Sequence, residues 1–169
     1  MNKAYKYCPT CKSELLLDKD GYQPCSNSEC KFIFYNNPTP VVAAIVEYEK
    51  DTVILAHNTL WPPKWYALIT GFVEEGENPD DTVVREVKEE LGLDAKVEKF
   101  VGHYTFRRMN QLIIAYHVSA TGTIELNEEL DDYRIVPFEK VKTWPGGTGR
   151  ALGDFLREKG YDPAEISFS

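Results

Sequence analysis

Residues 71–93, GFVEEGENPDDTVVREVKEELGL, decide the fold of this chain and carry most of its chemical information. They place a glycine-containing loop before a short acidic helix, in which Glu86, Glu89 and Glu90 recur at spacings of three and four. Those spacings bring side chains onto one helix face. Three neighbouring carboxylates repel one another unless a cation lies among them, and a hard divalent metal with oxygen ligands suggests phosphate chemistry. The alternative is a solvated acidic face, the usual meaning of a charge run.

The ends of this helix are marked in the sequence. Asn78 is a good N-cap, Pro79 suits the first helical position, and Gly92 predicts the C-terminal end. Glu89 and Glu90 lie in the last turn, where the helix dipole disfavours each negative charge by about 0.3–1 kcal/mol. A helix shaped only by stability would carry Lys or Arg there. The position of these acids therefore favours a ligand role.

The same residues resemble the Nudix box, whose pattern is a glycine, five residues, a glutamate, seven residues and then REUXEEXGU, with U a bulky aliphatic residue. Every defined position is filled without a gap, by Gly71, Glu77, Arg85, Glu86, Val87, Glu89, Glu90, Gly92 and Leu93. The resemblance implies hydrolysis of a nucleoside diphosphate linked to another group, with Mg²⁺ or Mn²⁺ as the catalytic metal.

The resemblance also implies a role for each box residue. The expected catalytic residues are Arg85, Glu86, Glu89 and Glu90. The three glutamates would hold the metal together with the backbone carbonyl of Gly71. Arg85, four residues before Glu89, is expected to orient a box glutamate. Family members differ on which acid takes the proton of the attacking water, and we assign this role to Glu89.

Two further acids are candidates for a place in or near the site. Glu77 is expected to be structural and to fix the loop before the helix. Glu129 lies in the later acidic stretch ELNEELDD and was considered as a further metal contact. Its position in a polar stretch favours an exposed loop instead.

Length and composition limit the remaining possibilities. A chain of 169 residues can bury one core and carry a small module. Its net charge of −8 argues against a general nucleic-acid or anionic-membrane surface. The sequence contains no apolar run that would span a bilayer and no apolar segment typical of a secretory signal. We therefore expect a cytoplasmic protein without a membrane partner and without a nucleic-acid partner.

All four cysteines lie near the start of the chain, at Cys8, Cys11, Cys25 and Cys30. Two close pairs, with a hairpin predicted to turn near residues 20–21 between them, suit a tetrahedral Cys₄ zinc site. Four thiolates leave no open position on the metal, so such a site is structural. Two disulfides or free thiols are the alternatives, and the absence of a secretory context favours zinc.

The pattern of apolar residues predicts the order of elements. Strands are expected at 41–48, 52–57, 66–71, 95–106, 111–120 and 133–137, a helical turn at 138–143, and helices at 79–91 and 148–159. The first two strands are predicted to form a hairpin, and 95–106 is predicted to pair antiparallel with 111–120. With a boundary near residues 36–39, residues 1–37 are expected to form a zinc ribbon and residues 38–169 an α/β domain. This is the expected Nudix α/β/α sandwich with a mixed sheet.

The whole order resembles the zinc-ribbon NADH pyrophosphatase branch of the Nudix family. The matching features are CPTC, CSNSEC, Tyr35, the run Pro40-Val41-Val42, GFVEEGE, and PGGT at 145–148. The branch signature SQPWPFPxS is absent, because residues 103–111 read HYTFRRMNQ there. The resemblance to this branch implies a dinucleotide such as FAD, NADH or NAD as the substrate, and the missing signature removes the reason to prefer NADH among them. ADP-ribose or a nucleotide-sugar is the alternative.

The segment that replaces this signature supplies candidate substrate contacts. Arg107 and Arg108 are predicted to contact a second phosphate or a phosphorylated ribose, or else to be solvated charges at a strand end. Phe72, Tyr104 and Phe106 are candidates for stacking on a base, or else are core residues.

Two alternatives concern the class of protein and its assembly. Some Nudix-like domains are ligand-sensing or nucleic-acid-binding regulators, but these usually carry a degenerate box, whereas this box is intact. The resemblance implies a homodimer.

The three histidines are not candidate metal ligands. His57, His103 and His117 lack Cys or His partners at ligand spacing, so they are expected to be strand residues.

Overall fold

The computed structural model describes residues 5–166 and divides the chain into two compact units, Met1–Pro38 and Thr39–Ser169. In the first unit, β1 (Gln23–Pro24) pairs antiparallel with β2 (Ile33–Phe34). Asp18 Oδ1 accepts hydrogen bonds of 2.9 Å from the backbone N–H groups of Asp20 and Tyr22. These bonds close a turn at the place where the hairpin was predicted.

The second unit contains the remaining strands and both α-helices of the described residues. Their bounds are β3 (Thr39–Glu47), β4 (Thr52–Asn58), β5 (Ile69–Phe72), α1 (Pro79–Leu91), β6 (Asp94–Phe106), β7 (Gln111–Thr121), β8 (Leu130–Pro137) and α2 (Gly147–Glu158). Short 3₁₀ turns follow β6 and β8, at Arg107–Met109 and Phe138–Lys140. In the part of the chain that is described, no helix has the length and apolar character needed to cross a bilayer.

Four of these strands form a mixed sheet in the order β5–β3–β7–β6. β3 runs antiparallel to β5 and parallel to β7, and β6 runs antiparallel to β7. The predicted mixed sheet and the predicted antiparallel pair are therefore confirmed. β4 and β8 form a separate two-stranded antiparallel sheet.

The predicted hairpin between the first two strands of this unit is wrong. The chain does reverse after β3, but β3 is bonded to β5 on one edge and to β7 on the other. A strand has only two hydrogen-bonding edges, so β3 has none left for β4, which pairs with β8 instead.

The core lies on both faces of the four-stranded sheet. Successive residues of a strand point to opposite faces, and alternate residues of β3 belong to two different clusters. One cluster packs against α1 and contains Val42, Ala44, Val46, Val83, Val87 and Leu91. The other packs against α2 and contains Ala43, Ile45, Leu152, Phe155 and Leu156. The sheet lies between the two helices, as the expected α/β/α sandwich requires.

Candidate active site

Helix α1 begins and ends where its sequence predicted. Gly92 has the left-handed φ of 71° and donates its backbone N–H to Lys88 O, so the predicted C-terminal end is confirmed. Asn78 occupies the N-cap position in an extended conformation, but its side chain makes no capping hydrogen bond. Its Nδ2 donates to Asp81 Oδ2 instead, at 3.1 Å.

The packing of β5 against α1 brings Gly71 against Glu86. A Cβ atom on Gly71 would lie 1.8 Å from Glu86 Cδ and 2.0 Å from its Oε1. A side chain at position 71 would therefore require Glu86 or the strand to move, and glycine allows both to stay where they are. Two of the predicted metal ligands are thereby in contact.

Arg85 organises the carboxylates around it. Its Nε and Nη2 donate to Glu77 Oε1 and Oε2, at 2.8 and 3.0 Å. Its Nη1 donates to Glu86 Oε1 at 2.8 Å and to Glu89 Oε2 at 3.0 Å. Nη2 also donates to the carbonyl of Phe72, at 3.3 Å. One guanidinium group thus orients three glutamates and holds the end of β5.

Glu77 joins the loop to the helix. Besides its two bonds from Arg85, it accepts hydrogen bonds from Thr82 Oγ1 at 2.9 Å and from the backbone N–H of Glu74 at 3.2 Å. The Arg85 guanidinium lowers the pKa of Glu77 to about 2. The carboxylate is therefore ionised at neutral pH and available to hold the loop, which is the role expected from its place in the box.

Glu90 is the carboxylate that lacks a cation. Within residues 5–166 its side chain makes no hydrogen bond or ion pair. Burial raises its pKa to about 8, and the charges of Glu86, Glu129 and Glu89 add to the increase. Burial also raises the pKa of Glu86, although Arg85 opposes that shift. The site therefore holds more negative charge than Arg85 offsets, and an added cation would relieve the excess.

Glu129 belongs to this group of acids, which its sequence context did not indicate. The residue is exposed, as expected, but its charge raises the pKa of both Glu86 and Glu90. It also lines a cavity of about 140 Å³ together with Glu90, Asn58 and Trp61. The pairing of β4 with β8 brings these segments together, and local sequence patterns do not reveal such a distant pairing.

The alternative of a solvated acidic face describes only part of the helix. The Glu89 side chain is 54% exposed, whereas that of Glu86 is 12% exposed. Oxygen donors are the ligands that Mg²⁺ and Mn²⁺ prefer, so the set formed by Glu86, Glu89 and Glu90 fits such a metal. The exposed Glu89 has room to move when a metal binds.

The structure separates the predicted substrate contacts into two places. Phe72 pairs with Val41, Val41 with Ile113, and Ile113 with Tyr104, so the four residues form one row across the sheet. Three strand spacings of about 4.8 Å put roughly 14 Å between the backbones of Phe72 and Tyr104. Phe72 therefore lies at the edge beside the glutamates, and Tyr104 lies at the opposite edge.

The other four predicted contacts do lie together. Tyr104, Phe106, Arg107 and Arg108 line a second cavity of about 690 Å³, which also includes Arg150 of α2. The structure thus brings these residues together but not to the box glutamates. Their contact with a substrate stays a prediction.

The three histidines lie in strands, and two of them have hydrogen-bond partners. His57 contacts Asp131 Oδ1 through Nδ1 at 2.5 Å, and the Pro62 carbonyl through Nε2 at 3.2 Å. The hydrogen bond with Asp131 raises the pKa of His57. His117 Nε2 lies 2.7 Å from Glu47 Oε2. His103 is exposed at the second cavity.

The four cysteines converge within the first unit. The Sγ atoms of Cys8 and Cys30 are 3.8 Å apart, those of Cys11 and Cys25 are 3.4 Å apart, and all four lie within 4.8 Å of one another. A disulfide needs about 2.05 Å, and all four thiols are free. A tetrahedral metal with Zn–S bonds of about 2.3 Å places sulfur atoms about 3.8 Å apart. The cluster therefore fits a metal and not two disulfides.

Comparison with known proteins identifies the family. Residues 37–155, more than half of the chain, match the NUDIX domain. NAD-capped RNA hydrolase NUDT12 of Homo sapiens is 28% identical over 148 residues, which are 81% of this chain and 32% of that protein. NAD-capped RNA hydrolase NudC of Mannheimia succiniciproducens is 28% identical over 134 residues, 75% of this chain and 50% of that protein. The chain thus spans a third to a half of the length of these curated relatives.

Solved structures support the same fold. A NUDIX hydrolase from Nitrosomonas europaea superposes with a TM-score of 0.73 at 21% identity, over 96% of this chain and 97% of that chain. An ADP-ribose pyrophosphatase from Streptococcus suis superposes with a TM-score of 0.60 at 18% identity, over 76% of this chain and 97% of that chain. With an intact box, an α/β/α sandwich and a family match over residues 37–155, the chain belongs to the Nudix family, and its cysteine cluster fits the zinc-ribbon branch.

Proposed function

We propose that this protein hydrolyses the pyrophosphate bond of a nucleoside diphosphate derivative, and that the substrate is a dinucleotide such as FAD, NADH or NAD. The observation that carries the proposal is Glu90, a partly buried carboxylate that no cation among residues 5–166 contacts. Burial, with the charges of Glu86 and Glu129, raises its pKa to about 8. Such a group of acids is costly for a protein unless a cation binds among them. The intact box supports a phosphate-cleaving role for that cation.

The proposed metal ligands are Glu86, Glu89 and Glu90, with the carbonyl of Gly71. A bound Mg²⁺ or Mn²⁺ would neutralise the pyrophosphate oxygens and activate a water for attack on phosphorus. The exposed carboxylate of Glu89 is proposed to take the proton of that water. Arg85, which bonds to both Glu86 and Glu89, holds them in position.

The cavity beside Glu90 is proposed to receive the part of the substrate next to the cleaved bond. Trp61 and Asn58 line it together with Glu90 and Glu129. An aromatic ring and an amide suit a ribose or a base near the phosphates. Phe72, which is 57% exposed at the neighbouring edge of the sheet, stays a candidate for a further contact.

The first unit is proposed to be a zinc ribbon. We assign residues 1–37 to it and residues 38–169 to the hydrolase domain. The converging thiols of Cys8, Cys11, Cys25 and Cys30 support zinc as the metal. Because a segment this small buries little apolar surface, metal binding would supply much of its stability.

The substrate class extends to RNA-linked dinucleotides. Two relatives are NAD-capped RNA hydrolases. They give no support to the expectation that this protein has no nucleic-acid partner. An NAD cap carries the same kind of pyrophosphate bond as free NAD. ADP-ribose and nucleotide-sugars stay alternatives, and the fold of an ADP-ribose pyrophosphatase is similar.

A substrate panel tests this function. Purified, zinc-loaded full-length protein would be incubated with Mg²⁺ or Mn²⁺ and with FAD, NADH, NAD, ADP-ribose, a UDP-sugar, coenzyme A or an NAD-capped oligoribonucleotide, and products would be identified by mass. We expect two mononucleotides from a dinucleotide, and none from samples without divalent metal. Absence of turnover with every compound would contradict the enzyme assignment.

The homodimer is proposed from the resemblance, and the location is the expectation that the sequence analysis gave. We propose a cytoplasmic homodimer. Light scattering of the zinc-loaded protein should give about twice the chain mass of 19.3 kDa, and a monomer at micromolar concentration would contradict the dimer. Fractionation of cells that express the protein tests the location.

A further inference from the structure

The arginines of this chain fall into two groups. Among the six, those with defined partners are Arg85, Arg134 and Arg157. The other three make no ion pair and no side-chain hydrogen bond with any residue in the described range 5–166. All three of these line the same cavity of about 690 Å³, and they are Arg107, Arg108 and Arg150.

This cavity carries positive charge that residues 5–166 do not pair with acidic side chains. Among residues 5–166, Asp154 is the only acidic residue that lines it. One Asp154 oxygen accepts a hydrogen bond from Tyr104 Oη at 3.0 Å, and the other accepts one from Arg157 Nη1 at 2.8 Å. Its charge is therefore already shared. Three unpaired guanidinium groups around one space repel one another, in a chain whose net charge is −8.

The size and walls of the cavity suit a small molecule. Its volume of about 690 Å³ lies within the roughly 300–1,000 Å³ typical of small-ligand sites. Tyr104 and Phe106 pack against the core beneath α2, so they form a rigid aromatic wall. The first residue of α2 is close to this wall, since a Cβ on Gly147 would lie 3.5 Å from Phe106 Cδ2. An aromatic wall beside arginines suits a nucleoside that carries phosphates.

The cavity is separate from the glutamates. Gly71 pairs with Val42, Val42 with Ile114, and Ile114 with His103, which lines the cavity. These three strand spacings put roughly 14 Å between the backbones of Gly71 and His103. Tyr104 and Phe106 also pack with the cluster under α2, whereas the glutamates lie on α1. A phosphate held among the glutamates is therefore not the phosphate that these arginines would contact.

We propose that this arginine cavity is a second ligand site, which binds a nucleoside diphosphate or a similar small molecule with two or more phosphate groups and needs no divalent metal. A guanidinium group donates two parallel hydrogen bonds to a phosphate, and three such groups exceed what a single phosphate requires. A nucleotide suits a cavity of this volume better than an RNA chain does, because RNA binding uses an extended basic surface.

Calorimetric titration of ADP into the zinc-loaded, full-length protein without added Mg²⁺ or Mn²⁺ tests the site. Under this condition the glutamates repel the diphosphate, so only the arginine cavity should bind it. We expect one ADP per chain, with AMP at least about fivefold weaker because one phosphate is lost. Arg150→Gln and Arg108→Gln should each weaken ADP binding about tenfold. Lys142→Gln removes one exposed charge outside the cavity and should leave the affinity unchanged.

Each outcome of this titration bears on the proposal. Absence of ADP binding to the folded wild-type protein would overturn it, as would equal losses in Lys142→Gln and in the arginine variants. Inorganic pyrophosphate that displaces ADP supports recognition of the two phosphates. A 5′-hydroxyl oligoribonucleotide that displaces ADP at lower concentration than pyrophosphate does would replace the nucleotide assignment with RNA binding.

Discussion

Gly71 and Glu86 touch so closely that a methyl group on the glycine would lie 1.8 Å from Cδ of the glutamate. The contact joins β5 to α1, and it sets the backbone of one proposed metal ligand against the carboxylate of another. The geometry of the proposed metal centre therefore depends on the absence of a side chain at position 71.

Replacing that glycine should damage catalysis. In Gly71→Ala the new methyl group must displace Glu86 or push β5 away from α1, and an error of about 1 Å in a catalytic group can cost about 100-fold in rate. We expect kcat/KM to fall by at least about that factor. Gly153→Ala is the control, because its new methyl group meets only the movable end of Arg157, at 3.2 Å. Full activity of Gly71→Ala would show that the contact is unimportant.

Removing the charge of Glu90 should abolish hydrolysis without unfolding the protein. Glu90→Gln keeps the shape of the side chain but loses a proposed metal ligand. The rate should fall by more than the roughly 10–100-fold typical of residues that only support a ligand. Steady-state kinetics with Mn²⁺ and circular dichroism provide the measurements. Glu139→Gln, at an exposed position of the 3₁₀ turn after β8, should behave like wild type. Unchanged turnover of Glu90→Gln would refute the ligand role.

The same residue predicts how stability depends on pH in the absence of metal. The pKa of Glu90 is about 8 in the folded protein and about 4.5 when unfolded. Between these values the folded state keeps a proton that the unfolded state has lost, so raising the pH lowers the free energy of unfolding. Denaturant titrations of metal-free protein from pH 4.5 to 8 should show this loss, and Glu90→Gln should reduce it. Mn²⁺ should restore stability at pH 8. If the free energy of unfolding fell equally with pH in the wild type and in Glu90→Gln, the shifted pKa of Glu90 would be contradicted.

Arg85 should matter for both stability and rate. Arg85→Gln leaves Glu77, Glu86 and Glu89 without their shared cation, and we expect a loss of about 1–3 kcal/mol in the free energy of unfolding. Arg85→Lys keeps the charge but loses the planar fork, so it should recover part of the stability and little of the activity. Urea unfolding and kcat measurements distinguish the two effects. A lysine variant with full activity would show that charge alone is sufficient.

The cysteine cluster predicts one zinc per chain. Metal analysis of purified protein should give a ratio near one, and Cys25→Ser should lower it sharply because three thiolates bind zinc less tightly than four. Ser26→Ala, at the neighbouring position, is the matched control and should keep its zinc. Protein that contains disulfides and no zinc would overturn the ribbon assignment.

Much of the fold follows from local sequence patterns. Asn78-Pro79 and Gly92 predicted the bounds of α1, because helix ends depend on backbone conformations that few residue types favour. The apolar patterns at 95–106 and 111–120 predicted β6 and β7 to within one residue at each end. The pairing of β3 was not predictable in this way. A short turn after β3 indicated a hairpin, but β7 and β5 take both of its edges.

The sequence by itself determined the chemistry of the proposed centre. Helical periodicity alone brings Glu86, Glu89 and Glu90 onto one helix face, with Arg85 beside them. This arrangement can therefore be recognised from the sequence. The spacing of the four cysteines similarly indicates one metal site, and their sulfur atoms converge in the folded chain.

Only the tertiary structure decided which distant residues share a space. It brought Glu129 and Trp61 to Glu90 through the pairing of β4 with β8, and it put Arg150 of α2 beside Arg107 and Arg108 at the far edge of the sheet. Strand order and helix placement depend on how apolar faces are buried across the whole chain, and residues far apart in sequence carry no local signal of that burial. The sequence therefore indicated the proposed pyrophosphate chemistry, and the fold separated the proposed centre from a second cavity lined by arginines.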